Sequence, residues 1–206
     1  MISPSHTAKI RAKISDLHTL PIEAYNPNGY ESLKTPGTSH IVTADASGLA
    51  LSLTRSINTW LGSQIMVPET GVIMNNDMND FSIPGVLNVF GYMPSPANFI
   101  KPGKRALSSN APTLIEFVSN NTFCYALGAG GGSHIITGII QGIWNLLDCD
   151  MSPLPALLEP RFHDQLEPNT VALDYRFNNA TAAYLAKKAH NVSWERRSSD
   201  LYVLKR

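Results

Sequence analysis

Thr35-Pro36-Gly37-Thr38-Ser39-His40 runs straight into Ile41-Val42-Thr43-Ala44-Asp45, and the rest of the chain is read from this junction. After Thr38 the residues alternate with the period of a strand that has one buried face. A hydroxyl at the start of a core strand, preceded by the small Gly37, is placed for backbone self-cleavage. Thr38 Oγ attacking the Gly37 carbonyl turns the peptide into an ester, water opens the ester, and Thr38 is left with a free α-amino group. That amine then serves as base for the same residue's hydroxyl, the N-terminal-threonine form of an activated nucleophile. An ordinary α-amino pKa of about 7.7–8.0 leaves a useful unprotonated fraction near neutral pH. A plain turn-to-strand junction carries the same residues, so the downstream sequence has to discriminate.

Two strand-like runs in 39–58 flank Asp45-Ala46-Ser47-Gly48, a hairpin signal with glycine available for positive φ. The antiparallel return sets Ser56 and Asn58 back beside Thr38, although polar residues at a strand end also occur simply to satisfy the backbone. Val72-Ile73-Met74 then opens into Asn75-Asn76-Asp77-Met78-Asn79-Asp80-Phe81. Asp77 and Asp80 suit an ammonium group held between two carboxylates, or else a solvated acidic turn. Residues 113–118 and 122–127 read as a second hairpin, leading into Gly128-Ala129-Gly130-Gly131-Gly132-Ser133 and an apolar helix that starts near His134. Free N–H groups ahead of a helix favour anions, but the Lys-Ser/Thr of a P-loop and a regular Gly-x-Gly-x-x-Gly are missing. The same donors suit a tetrahedral oxyanion, each worth about 2.7–4 kcal/mol in other systems.

Six pieces in fixed order carry a family resemblance. They are Pro36-Gly37-Thr38-Ser39-His40, Pro68-Glu69-Thr70-Gly71, the 75–81 run, Lys104-Arg105-Ala106-Leu107-Ser108-Ser109, Gly130-Gly131-Gly132-Ser133 and Glu159-Pro160-Arg161-Phe162-His163. Together they resemble the γ-glutamyltransferases (glutathione hydrolases), which are N-terminal-nucleophile hydrolases, and the wording is most similar to the fungal branch. The resemblance runs from about Ser3 to Trp194. It implies an α/β (α+β) fold, an αββα sandwich of two stacked, mostly antiparallel sheets flanked by helices, present here in part. It implies that Thr38 cleaves γ-glutamyl amides such as glutathione through a γ-glutamyl-enzyme, which passes to water or to an acceptor amino acid or dipeptide.

The resemblance also distributes roles. Ser56 becomes the second hydroxyl beside the nucleophile, usually a threonine, and Gly131 and Gly132 the oxyanion donors. Asn58, Asp77 and Asp80 bind the glutamyl α-amino group, while Ser108 and Ser109 bind its α-carboxylate. Asp77 stands where the family usually has Glu or Gln, Ala106 where it has proline, and His134 where it has Arg or Gln. Residues 1–37 then correspond to the tail of a large subunit with its processing linker. Residues 38–206 correspond to a small, catalytic subunit, so that the chain reads as truncated at both ends. The rest of the large subunit, with an arginine for the substrate carboxylate, would be a missing partner. No metal or organic cofactor is implied, and the family suggests a secretory, cell-surface or vacuolar setting. The competing reading is a silent fragment that only associates with a large-subunit partner.

Bulk properties fit one well-buried core in 206 residues. With 16 basic and 16 acidic residues there is no net charge, and nothing points to nucleic acid. Cys124 and Cys149 read as buried free thiols. The first seven residues lack a charged flank and apolar core, and the apolar run 135–147 is too short to span a bilayer. Sequons begin at Asn120, Asn179 and Asn191. Elsewhere the patterns predict a helix from Ser3-Pro4 through about Asp16, an exposed connection over 20–37, and an irregular loop over 82–104. They also predict a short helix at Pro153, a strand at 170–173, a helix at 178–189, and last strands at 192–194 and 201–204. Arg161 and His163 read as structural.

Overall fold

The computed structural model describes residues 3–25, 37–86, 94–166, 168–196 and 199–205. Thr35 and Pro36, most of the expected 20–37 connection and part of the 82–104 loop lie outside them.

The expected hairpin forms from β1 (Thr38–Ala44) and β2 (Ala50–Ser56), with Thr38 opposite Ser56 and Ala44 opposite Ala50. Its turn is held by Asp45, whose carboxylate accepts from the N–H groups of Ser47 and Leu49. A two-strand ribbon, β3 (Met66–Val67) and β4 (Val72–Ile73), follows. The second hairpin is β5 (Thr113–Glu116) and β6 (Phe123–Gly130), and the strand β10 (Asp200–Lys205) returns from the chain's end to the other edge of β6, giving the antiparallel order β10-β6-β5. Between them lie helix α2 (His134–Leu147), the short helix α3 (Pro153–Leu158) and a smaller sheet of β7 (Phe162–His163), β8 (Val171–Asp174) and β9 (Val192–Glu195). In that sheet β8 and β9 run parallel, joined through helix α4 (Asn179–Lys187), whose N-cap Asn178 accepts from two backbone N–H groups.

Strand β6 is the centre of the molecule, with all eight residues buried. Side chains alternate across it: Leu127 and Ala129 face α2, meeting Leu146, Ile135 and Ile139, while positions 128 and 130 face the β1–β2 hairpin. Glycine is required at 128 because the His40 ring fills the space of a Cβ, which would lie 1.9 Å from its Cε1. The layers are therefore hairpin, central sheet, helices, two stacked β layers with an α layer on one side. A second small core of Val171, Leu173 and Ala182 holds α4 to its sheet.

Two expectations are corrected. Helix α1 (Pro4–Arg11), capped by Ser3 as expected, stops short of Asp16, because Ile10, Ile14 and Leu17 are all exposed and the apolar spacing finds nothing among the described residues to cover it. Cys124 is buried in β6, but Cys149, just beyond the end of α2, is exposed. Among the described residues no helix is long and apolar enough to cross a membrane.

Candidate active site

At the mouth of the hairpin the strand ladder ends in a bulge. Gly37 N–H donates to Asn58 O at 2.7 Å, and Ile57 N–H donates to Gly37 O at 3.0 Å, so two residues face one. The extra residue, Asn58, takes φ 71°, a region asparagine tolerates better than most. Inside this bulge the Thr38 hydroxyl donates to Ser56 Oγ at 3.0 Å, and the same oxygen accepts Asn58 N–H at 2.9 Å. The sequence placed these three side by side through hairpin register alone, and that placement holds.

The bulge also buries the Asn58 side chain, which is 1% exposed. Its Nδ2 donates to Asn76 O at 3.1 Å, while Oδ1 has no partner among the described residues. Asn76 Oδ1 accepts from both the N–H and the hydroxyl of Thr59, at 3.2 Å each. The loop that carries Asp77 and Asp80, a 3₁₀ turn over Asp77–Asp80, is thereby pinned to the hairpin's end. Asp77 Oδ1 is buried without a partner among the described residues, and desolvation pushes its carboxyl above the ordinary value. An ammonium group in the pocket lined by Asp77 would supply this oxygen with a donor.

Asn98 joins the two remaining walls. Its Nδ2 donates to Asp80 O at 2.7 Å and its Oδ1 accepts Leu107 N–H at 2.9 Å, which sets Ser108 and Ser109 opposite the acidic turn. The departure at Ala106 is bridged by this bond, and Lys104 fastens the same loop by donating to the carbonyls of Ala97 and Phe99. A single pocket results, with Ser56, Asp77, Asp80, Ser108, Ser109 and Ile135 in its wall.

Thr38, Asn58, Gly131 and Gly132 are not in that wall; Thr38 and Asn58 are hydrogen-bonded to Ser56, which is. The glycine loop starts against Thr38, since a Cβ on Gly130 would lie 2.6 Å from Thr38 O. Gly131 and Gly132 take φ 127° and 59°, and their N–H groups meet no acceptor among the described residues. Both carbonyls accept from the first turn of α2, His134 N–H at 3.2 Å and Ile135 N–H at 3.1 Å. Two adjacent donors at positive φ, which glycine adopts without strain, follow the residue that touches Thr38 and form an arrangement suited to negative charge.

Sequence reading passed over Asn76, Asn98 and His40. Asn76 and His40 lie within the quoted motifs, but nothing local says whom they bond. His40 is buried one strand pair above Thr38, its Nδ1 2.8 Å from Thr54 Oγ1 and its Nε2 3.2 Å from Ser52 Oγ. Because the Ser52 hydroxyl donates to Leu127 O at 2.7 Å, Ser52 accepts from His40 Nε2–H, and Nδ1 accepts from Thr54. Burial holds this imidazole below its ordinary pKa. Arg161 and His163 are buried and hydrogen-bonded away from the pocket, in keeping with structural roles. No three His, Cys, Asp or Glu among the described residues converge as a metal ion would need.

The geometry can be set beside known proteins. The family described as Gamma-glutamyltranspeptidase matches residues 1–205. The "Glutathione hydrolase proenzyme" of the fungus Arthroderma benhamiae is 50% identical over 206 residues, 100% of this chain and 35% of its own length. The chain spans about a third of the length of the first curated relatives it matches. A shorter relative, "Putative inactive glutathione hydrolase 4" of Arabidopsis thaliana, is 37% identical over 180 residues, 84% of this chain and 91% of its own. Among solved structures, an acivicin-inhibited gamma-glutamyltranspeptidase superposes with a TM-score of 0.75 at 34% identity, over 81% of this chain and 89% of that one. The layered fold is thus the N-terminal-nucleophile hydrolase sandwich that the motifs implied. With a match along nearly the whole sequence and half of all residues shared with a full relative, the chain belongs to the gamma-glutamyltranspeptidase family.

Proposed function

We infer that the chain carries the catalytic centre of a γ-glutamyltransferase and glutathione hydrolase, with Thr38 as nucleophile. The observation that carries the reading is the Thr38–Ser56 hydroxyl pair, 3.0 Å apart, behind a pocket that joins Asp77 and Asp80 on one side to Ser108 and Ser109 on the other. An amino acid's ammonium and carboxylate need such opposed partners.

The proposed reaction has two stages. In the first, Thr38 Oγ bonds to the Gly37 carbonyl carbon, whose oxygen already accepts Ile57 N–H at 3.0 Å. The C–N bond breaks, the nitrogen takes a proton, and water hydrolyses the ester to the Gly37 carboxylate. Scission there separates pieces of 37 and 169 residues, the proposed subunit boundary. In the second stage the new α-amine takes the Thr38 hydroxyl proton as Oγ attacks a γ-glutamyl carbonyl. Gly131 and Gly132 donate to the oxyanion, the leaving amine departs with a proton, and water or an acceptor amino acid or dipeptide then releases the glutamyl group. Asn58, Asp77 and Asp80 hold the glutamyl ammonium, Ser108 and Ser109 its carboxylate.

The alternative is a silent chain that only pairs with a larger partner. It is favoured by the apolar stripe on the outer face of α2, where Ile140 and Trp144 are 60% and 54% exposed, and by the shorter relative whose name calls it inactive. In either reading the proposed partner is a large subunit, a proposal supported by the greater length of the relatives. Intact-mass spectra of the chain and of Thr38→Ala separate the two. Pieces of 37 and 169 residues from the wild type alone, followed by turnover of a γ-glutamyl anilide, support catalysis; two uncut spectra favour the silent chain.

A further inference from the structure

Ser133 occupies the N-cap position of α2, yet its hydroxyl caps no N–H of that helix. It donates instead to Gln165 Oε1, 2.6 Å away in the segment after β7. An amide oxygen only accepts, so His163 Nε2, 3.0 Å from the same Oε1, carries a proton. Its Nδ1 lies 2.8 Å from the hydroxyl of Thr137, on the first turn of α2, which also lies 3.3 Å from His134 O. The ring of His163 is stacked on that of His134, centroids 3.7 Å apart, and His134 Nδ1 lies 3.5 Å from Glu195 Oε1 at the end of β9. Ser133, His134 and His163 are all buried. The β7-β8-β9 sheet is thereby fastened to the residue that immediately follows Gly132.

A glycine pair has more backbone freedom than any other, and oxyanion donors act only when aimed at the reacting oxygen before charge develops. Gly131 and Gly132 have no side chains with which to fix their own orientation. On the N-terminal side the ladder of β6 with β10 ends at Gly130, paired with Asp200. On the C-terminal side the first side chain able to hold the loop is Ser133, and its bond runs to Gln165.

We propose that Gln165, held by His163, is a positioning residue that fixes the direction of the Gly131 and Gly132 N–H groups through Ser133. This rests on reading the glycine pair as oxyanion donors. It also gives His134, which replaces the Arg or Gln implied by the family resemblance, a place in the anchor: its ring backs the imidazole that holds Gln165.

The test compares Gln165→Leu, Ser133→Ala, the double variant and Gln165→Glu in the full chain. Amide hydrogen exchange at Gly131 and Gly132 is read beside steady-state kinetics on a γ-glutamyl anilide. Each of the first two changes is expected to speed exchange at both glycines and to lower kcat about tenfold, the scale of one hydrogen bond, with KM nearly unchanged. The double variant should lose no more than either single one, because the two remove the same link. Gln165→Glu keeps an acceptor oxygen and should recover most of kcat. Unchanged glycine exchange, additive losses, or a Glu variant no better than Leu would overturn the proposal. Faster exchange in a protein whose wild type does not turn over would uphold the anchor and remove the catalytic reading of the loop.

Discussion

Replacing Ser56 with alanine tests the centre of the site on two independent scales. The Ser56 oxygen accepts the Thr38 hydroxyl at 3.0 Å and Asn58 N–H at 2.9 Å. Asn58 is buried, so its N–H loses its partner without gaining water, at a cost of about 1–3 kcal/mol. At roughly 2–4 °C per kcal/mol for a chain of 206 residues, the melting temperature should fall by about 2–12 °C. The second scale is kinetic. As Thr38 Oγ gives up its proton, the Ser56 hydroxyl can turn to donate to it, and a hydrogen bond to a charged group is worth about 1.5–3 kcal/mol. Losing it corresponds to about 10- to 150-fold in rate. A time course of intact mass reads this for processing, and single-turnover release of an anilide reads it for transfer. Ser56→Thr keeps the oxygen and should stay near wild type in both. Wild-type rates with an unshifted melting temperature in Ser56→Ala would refute the assignment of Ser56.

Gly128→Ala would place a methyl 1.9 Å from His40 Cε1 and 2.1 Å from Nε2. The ring cannot yield without breaking its bonds to Thr54 and Ser52, so a loss of about 1–3 kcal/mol is expected in urea unfolding, and an unmoved midpoint would contradict the close packing of the two sheets. His40 itself has its pKa lowered by burial, so the unfolded chain takes up the proton first. Its contribution is complete above about pH 6.5 and is lost as pH falls through that value toward the folded pKa; His40→Gln should flatten this part of the stability profile. The Asp77 carboxyl is shifted the other way, its pKa raised by desolvation. Native protein therefore loses stability as pH rises from about 3.9 through the raised value, and Asp77→Asn should be more stable than wild type at pH 7 without substrate. The same variant should bind γ-glutamyl substrate more weakly, with a KM that no longer climbs as pH falls toward the raised pKa; an unchanged KM would separate Asp77 from the ammonium site.

Much of the site was legible because its signals are local. Alternation after Thr38 and the turn at Asp45–Gly48 fix a hairpin, and antiparallel register then brings Ser56 and Asn58 to Thr38 without further information. Ser3, Asn178 and the glycine loop announced helix starts that the structure places within a residue or two. The length of α1 and the exposure of Cys149 were not legible, since both depend on whether another element covers them.

The sequence alone determined which residues are the candidates for the chemistry: a threonine after a small residue, two carboxylates on one turn, adjacent serines, and a glycine pair ahead of a helix. Only the tertiary structure decided how they are aimed. Asn76 ties the acidic turn to the hairpin, Asn98 ties that turn to the serines, and Gln165 reaches Ser133 from 32 residues away. Each is a side-chain hydrogen bond between segments distant in sequence. A chain displays its donors and acceptors, but their pairing is settled only when packing brings two segments together and removes the water that would otherwise satisfy both.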